Sequence, residues 1–300
     1  MKKLNIVYTA VLAGLFSLCG CSSAPKRPMV ITEKYELSST ELENGNRDLA
    51  GGNFVNADKH FTEAYKLALS IDNSDLISRV LFSQIAYQTS MPGFEYSNTA
   101  ETLLVQARRH AARADNCVIL SAVCDIYEAH ILIASASAAE NQGADAEKLC
   151  IKNEKILEKD PYYAGFLYYT LGDALIIEKK YTDGETAYLK AADIHTKSRY
   201  LQEIGHDWYA VASARSLAGK KQSAIDALEQ ALAYDRNAEN TAAIASDYLA
   251  AARVLAKAPA TEEEKKAAAE KAVYAASMYR AVNLEESAKR CDVFVQNITK

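Results

Sequence analysis

The sequence predicts an all-α chain, a solenoid-like stack of two-helix hairpins ending in one extra helix. Three observations predict it. The first is the stretch Tyr168 to Ala191. Its apolar and small residues fall at Tyr168, Leu171, Gly172 and Leu175, then at Gly184, Tyr188 and Ala191, each set lying on one face of a helix. Glycine at 172 is explained by close approach of the two helices, since a helix-interior glycine otherwise costs about 1 kcal/mol. The second is recurrence. Trp208, Val211, Ala212, Ala224, Leu228 and Ala231 repeat those offsets 40 residues on. The third is scarcity of breakers: the 300 residues hold 12 Gly and 5 Pro. Pro25 and Pro28 stand near the start, and Pro92, Pro161 and Pro259 fall where connections between helices are expected, so no proline interrupts a predicted helix.

At the start of the chain, Lys2 and Lys3 precede an apolar run from Ile6 to Leu18, followed by Cys19-Gly20-Cys21. A positive end, a short apolar core and small residues before a cut site read as a signal peptide over residues 1–20. The run is too short to span a bilayer, which takes about 20 residues. The alternative is an ordinary secretory signal cut elsewhere. Residues 21–37 hold Pro25, Lys26, Arg27 and Pro28 with little apolar periodicity, and read as a tether. Residues 38–300 form the helical domain.

The first hairpin runs from Ser38 to Ile71, with Ser38 and Glu41 as a capping box and Gly51-Gly52 as the turn. Phe54, Ala57, Phe61 and Ala64 line its second helix; Gly45 and Asp48 leave the first poorly apolar. The second runs from Asp75 to Ala114, with Leu76, Val80, Phe82, Ile85 and Tyr87, then Ala100, Leu104 and Ala107 on the inner faces. Its aromatic loop, Met91 to Tyr96, is read as packing on its own hairpin rather than as a lid. The third spans Asn116 to Lys159. Its first helix, Cys117 to Ala139, is nearly all apolar or small, but Asp125, Glu128 and His130 disfavour a membrane span, the aspartate alone by about 2.5–3.5 kcal/mol. It is read as a helix buried within the stack. Asp160-Pro161 opens the fourth hairpin as cap and first-turn proline, and Thr182 with Glu185 reads as a capping box for its second helix. The fifth spans Ser198 to Asp235. The sixth pairs Thr241–Ala256 with Glu262–Val282, capped by Thr261 and Glu264. Leu284, Ala288, Cys291, Val295 and Ile298 make one apolar stripe on a last helix, as suits the end of a repeat stack.

The offsets of an aromatic, Leu-Gly, a small residue, an aromatic and alanine in Tyr168–Ala191 resemble the tetratricopeptide repeat, with Leu175 and Gly184 in place of the usual tyrosine and alanine. The resemblance covers residues 162–235 most closely. It implies a right-handed α-solenoid of about six divergent hairpins plus a C-terminal capping helix. Leu18-Cys19-Gly20-Cys21 is similar to the lipobox of bacterial lipoproteins, which implies that Cys21 becomes the new N-terminus and receives at least two fatty chains (palmitate among them), anchoring the protein in the bacterial envelope. Ser22 favours the periplasmic face of the outer membrane by the same analogy.

The chemistry expected is binding rather than catalysis. The net charge of −5, with no basic stripe, argues against nucleic acid and anionic lipid as partners. No phosphate loop, nucleophile elbow or paired-histidine metal motif is present. His206 and Asp207 are neighbours on a helix, so they point about 100° apart and make no base–orienter pair. No cofactor or metal is expected, and Cys117, Cys124, Cys150 and Cys291 read as buried thiols acting as small hydrophobes. The repeat resemblance implies that first helices line a concave groove. That puts Phe166, Tyr169, Asp173 and Ile177 in it from one unit and His206, Tyr209, Ser213 and Leu217 from the next. Tyr169 and Tyr209 occupy equivalent positions and suit an amphipathic ligand, having a flat apolar face and a hydroxyl; Tyr169 reads equally as core, and Tyr168 better so. The expected function is a non-catalytic, lipid-anchored scaffold for a protein partner. Two alternatives share the layout: a ligand-handling accessory resembling the repeat lipoproteins that accompany the periplasmic solute-binding proteins of TRAP transporters, with homo-oligomers possible, and an accessory of outer-membrane assembly.

Overall fold

The computed structural model describes residues 33–91, 94, 98–134 and 137–299. The expected signal peptide, Cys21 and the tether up to residue 32 lie outside them. The chain divides into Met1–Glu33 and Lys34–Lys300, and the helices belong to the second unit, Glu33 apart. Among the described residues there are thirteen α-helices and no strand. Six pairs follow one another: α1 (Glu33–Ala50) with α2 (Phe54–Ser70), α3 (Ser74–Ser90) with α4 (Asn98–Ala111), and α5 (Cys117–Ala134) with α6 (Glu140–Leu157). Then come α7 (Pro161–Ile177) with α8 (Tyr181–Ser198), α9 (Leu201–Leu217) with α10 (Lys221–Asn237), and α11 (Thr241–Ala256) with α12 (Glu262–Ala281). A single helix α13 (Glu285–Ile298) packs on α12. This is the expected all-α solenoid.

The hairpins form where the sequence lets two helices touch. A Cβ on Gly172 would overlap the ring of Tyr188 on α8. The first hairpin repeats the device: a Cβ on Gly45 would lie 2.6 Å from Phe61 Cε1. The glycine that made α1 look poor on the page therefore makes its contact. Helix ends recur as well. Asp72, Lys179, Arg199, Glu239 and Asn283 all take left-handed φ of 48–61° just past a helix, where Gly219 does the same at 77°.

Some local expectations fail for identifiable reasons. α1 begins at Glu33, inside the stretch expected to be tether. Ser38 is therefore not a cap but a buried mid-helix residue, and its hydroxyl donates to Ala64 O of α2 at 2.8 Å. α8 begins at Tyr181 after Lys180, which provides no side-chain cap, so Thr182 and Glu185 are already helical. Glu185 instead accepts from Arg215 at 2.8 Å and Lys220 at 2.9 Å. The Asp160 and Thr261 caps form, Thr261 with Glu264 as a capping box. α5 stops at Ala134, short of Ala139, and is buried along much of its length, with Asp125 held by Arg108 and Lys152 at 2.8 and 2.9 Å and by Asn153 at 3.2 Å. That network explains both an acid in an apolar helix and the asparagine where the repeat pattern has alanine. Cys124, Cys150 and Cys291 are buried free thiols; Cys117 is half-buried and free.

Successive first helices touch one another, α3 with α5, α5 with α7 and α9 with α11, whereas successive second helices have no comparable contacts. The first helices are thus the inner row of a curved stack. The curve carries far enough for the α1–α2 turn to meet late connections: Asn240 Nδ2 donates to Ala50 O at 3.4 Å, and Leu284 Cδ1 stands 3.1 Å from where a Cβ on Gly52 would be.

Candidate functional site

The inner row carries a ladder of rings. On α7, Phe166, Tyr169 and Asp173 are spaced three and four apart and share one face. Phe82 of α3 stacks on Tyr127 of α5, with centroids 4.7 Å apart and planes 4° from parallel. Tyr127 and His130 of α5 then meet Phe166 at 4.9 and 5.7 Å. One turn on, Tyr169 stacks on His206 of α9 at 4.5 Å, and its hydroxyl lies 3.1 Å from His206 Nε2. Aromatic pairs in such geometries contribute about 0.5–1.5 kcal/mol beyond the area they bury. The equivalent tyrosines 169 and 209 are not stacked on each other; His206 takes the place beside Tyr169.

The ladder runs from buried to open. Phe82 and Tyr127 are buried, Phe166, Tyr169, Asp173 and Tyr209 are half-buried, and His206 is exposed. Ser213 and Leu217, further along α9, are exposed too, Leu217 by 45%. Ile177 lies against α6, where its Cγ2 is 3.2 Å from the position of a Cβ on Gly143. It belongs to the α6–α7 seam more than to the ladder.

The surrounding protein lowers the imidazoles of this face and raises its carboxyl. Burial, with His206 nearby, lowers His130 to about 4. Nε2 of His130 meets Thr89 Oγ1 at 3.0 Å, and Nδ1 has no protein partner. Desolvation among its neighbours, then the nearby His195, lowers His206 to about 4, although the residue is exposed. Both imidazoles are neutral at pH 7. Burial raises Asp173 to about 7, against the opposing hydrogen bond that Tyr188 Oη donates to Oδ1 at 2.5 Å. Tyr168, read from the sequence as core, is buried; its hydroxyl donates to Glu154 and Lys190 lies over its ring at 3.9 Å.

Behind the ladder is a second arrangement that sequence reasoning missed. His195 of α8 sits against Gly165 of α7 and pairs through Nδ1 with Asp207 Oδ2 of α9 at 2.6 Å, both side chains being buried. One unit later Asp235 of α10 sits against Gly205 of α9 and pairs with Asp247 of α11. The three positions of each set are 40 residues apart, and this offset in glycine, histidine or aspartate, and aspartate was the available signal. Asp207 is raised to about 6 by burial, against the pull of His195. Asp235 and Asp247 are both pushed upward, by burial and, for Asp247, by the neighbouring carboxyl. Asp235 Oδ1 and Asp247 Oδ2 have no protein partner, and two adjacent buried carboxyls do not readily both ionise, so the pair favours keeping one proton between them. Both sets lie in the packing between helices, away from the open edge. Among the described residues no group of three or more histidine, cysteine or acidic side chains converges as a metal site.

No family model matches this chain, and no curated protein matches it. Solved structures do match in fold. Aspartyl phosphate phosphatase F from Bacillus subtilis is 14% identical, covering 89% of this chain and 71% of its own, with a TM-score of 0.53. A Rap protein complexed with Competence and Sporulation Factor is 13% identical, covering 89% and 77%, with a TM-score of 0.52. A signal transduction ATPase from Pyrococcus horikoshii with a tetratricopeptide repeat sensor matches at a TM-score of 0.48 and 13% identity, over 87% of this chain and 42% of its own. The chain thus shares the all-α helical-repeat fold of the first two structures.

Proposed function

We propose that this chain is a non-catalytic binding protein that holds a segment of a protein partner along its inner row, between α5 and α9. The observation that carries this reading is the ladder itself. Uncharged rings from successive helices form one face that opens at His206. Such a face gives flat apolar contact with hydroxyl and imidazole groups at its edges, which suits a peptide backbone and its apolar side chains. That one similar fold was solved with Competence and Sporulation Factor agrees with a ligand-holding stack.

The same proposal places the protein in the bacterial envelope, anchored through acylated Cys21, on the periplasmic face of the outer membrane. A periplasmic solute-binding protein is one partner of the required kind. Two experiments test the two parts. Tyr169→Ala combined with Tyr209→Ala should abolish capture of the partner from envelope extracts with the fold intact by circular dichroism; capture equal to the parent removes the ladder from the site. Cys21→Ser should move the protein from the membrane to the soluble fraction; continued membrane partition removes the anchor.

A further inference from the structure

Asp173 is an acid without a counter-charge. It stands on the ladder's face of α7, half-buried, with one oxygen bonded to Tyr188 Oη at 2.5 Å. Its other oxygen has no hydrogen-bond partner among the described side chains, and no lysine or arginine contributes to its electrostatic surroundings. The groups that face it are Tyr169 on its own helix, Cys150 on α6 and Tyr188 on α8. Around Tyr169 stand His206, Asp207 and Tyr209 of α9. Glu147 on α6 is already held by Lys180 at 2.9 Å, and His130 on α5 is neutral at pH 7. Elsewhere the chain gives its enclosed acids a cation or a shared proton: Asp125 has Arg108 and Lys152, and Glu185 has Arg215 and Lys220. Asp173 has tyrosines instead, the Tyr188 hydroxyl on its Oδ1 and Tyr169 nearby on its own helix. A carboxylate beside tyrosines suits an alkylammonium or guanidinium group, which binds through the charge and can lie on a ring.

We infer that Asp173, with Tyr169 and Tyr188, is a subsite for a lysine or arginine side chain of the peptide segment held in the groove. This rests on the groove reading above and names the chemistry of its occupant. Binding of the cation requires the carboxylate, so one proton passes from Asp173 to solvent on binding wherever the free acid is protonated. Asp173 titrates at about 7. Affinity for a basic peptide therefore rises from pH 6 towards pH 8, by up to about tenfold per pH unit below that midpoint. His130 and His206, both near 4, do not change charge in that window. Asp207, near 6, does, but it is paired with His195 behind the face.

The test is selection of a random heptapeptide library on the full-length protein in detergent, followed by titration of the leading peptide at pH 6 and pH 8. Selected peptides should share a lysine or arginine and bind more tightly at pH 8. Asp173→Asn, which keeps an acceptor for Tyr188, should weaken binding at least tenfold at pH 8 and remove the pH dependence. Tyr188→Phe should keep the ring and lose the bond that lowers Asp173, moving the pH of half-maximal affinity upward. Peptides that lose binding with Tyr169→Ala and His206→Ala yet carry no basic residue, or bind Asp173→Asn equally well, overturn this inference and leave the groove standing. If no selected peptide responds to Tyr169→Ala and His206→Ala, the groove reading fails and the subsite fails with it.

Discussion

The two ends of the stack are held together differently. In α2 to α7 the core is built from large side chains. Phe61, Ile77, Phe82, Leu120, Ile126, Ile131, Leu157 and Leu167 are all fully buried there, and beyond residue 170, among the described residues, Ile204 alone is of that size and burial. In α9 to α12 the interior is mostly alanine, with Ala210, Ala212, Ala214, Ala224, Ala227 and Ala231, then Ala245, Ala252, Ala268, Ala272, Ala275 and Ala276. Small residues let helices approach closely, and neighbouring side chains already occupy the space a Cβ would take, His195 beside Gly165 and Asp235 beside Gly205. One end should thus be sensitive to losing volume and the other to gaining it.

The largest effect is expected from Phe82→Ala, which removes a buried ring stacked on Tyr127 and should cost about 3–5 kcal/mol in urea unfolding. A loss under about 1 kcal/mol would break the comparison at its N-terminal side. Trp208, at the offset of Tyr168 one unit later, is half-buried at the margin of the second core, so its truncation should cost less than that of Phe82.

Gly205→Ala places a Cβ on the Asp235 carboxyl, and overpacking of this kind should cost about 1–3 kcal/mol. An unchanged unfolding midpoint would show that the C-terminal slots have slack.

The carboxyl pair sharpens the contrast through pH. Asp235 and Asp247 titrate higher in the fold than in the unfolded chain, where an aspartate sits near about 3.9. The folded state therefore binds more protons, and stability falls as pH rises from about 4 through the raised folded values. Asp207, at about 6, acts in the same direction. Asp247→Asn should stabilise the protein by roughly 1–2 kcal/mol at pH 8 and flatten the decline in melting temperature between pH 5 and 8. A parent protein more stable at pH 8 than at pH 5 would contradict the shared proton.

The smallest effect is local. Lys179 holds the left-handed position that Gly219 holds one unit later. Lys179→Gly should be neutral or stabilising, by about 1 kcal/mol at most. A loss of stability would show that the lysine's bond to Glu140 matters more than its strained backbone.

Much of this was legible because the repeat constrains a few positions strongly. Gly172 opposite Tyr188 and the offsets to Trp208 and Ala231 identified hairpins, and the resemblance to the repeat family put Phe166, Tyr169, Asp173 and Ile177 in the groove. What the page did not show depends on partners from elsewhere in the chain. Ser38 and Glu185 look like cap residues locally, yet one bonds a carbonyl of α2 and the other two basic side chains near the α9–α10 turn. Asp207 does point away from His206, but its partner is His195 on the preceding helix. Tyr127 and His130 escaped notice as ladder members because the third hairpin departs from the repeat pattern that located the others.

The central claim is that the inner row receives the partner. A photo-crosslinking residue at Tyr209, on α9 of the inner row, should yield a discrete adduct in intact cells, and the same residue at Ile151, exposed on α6, should yield none. An adduct at Ile151 with none at Tyr209 would contradict the claim.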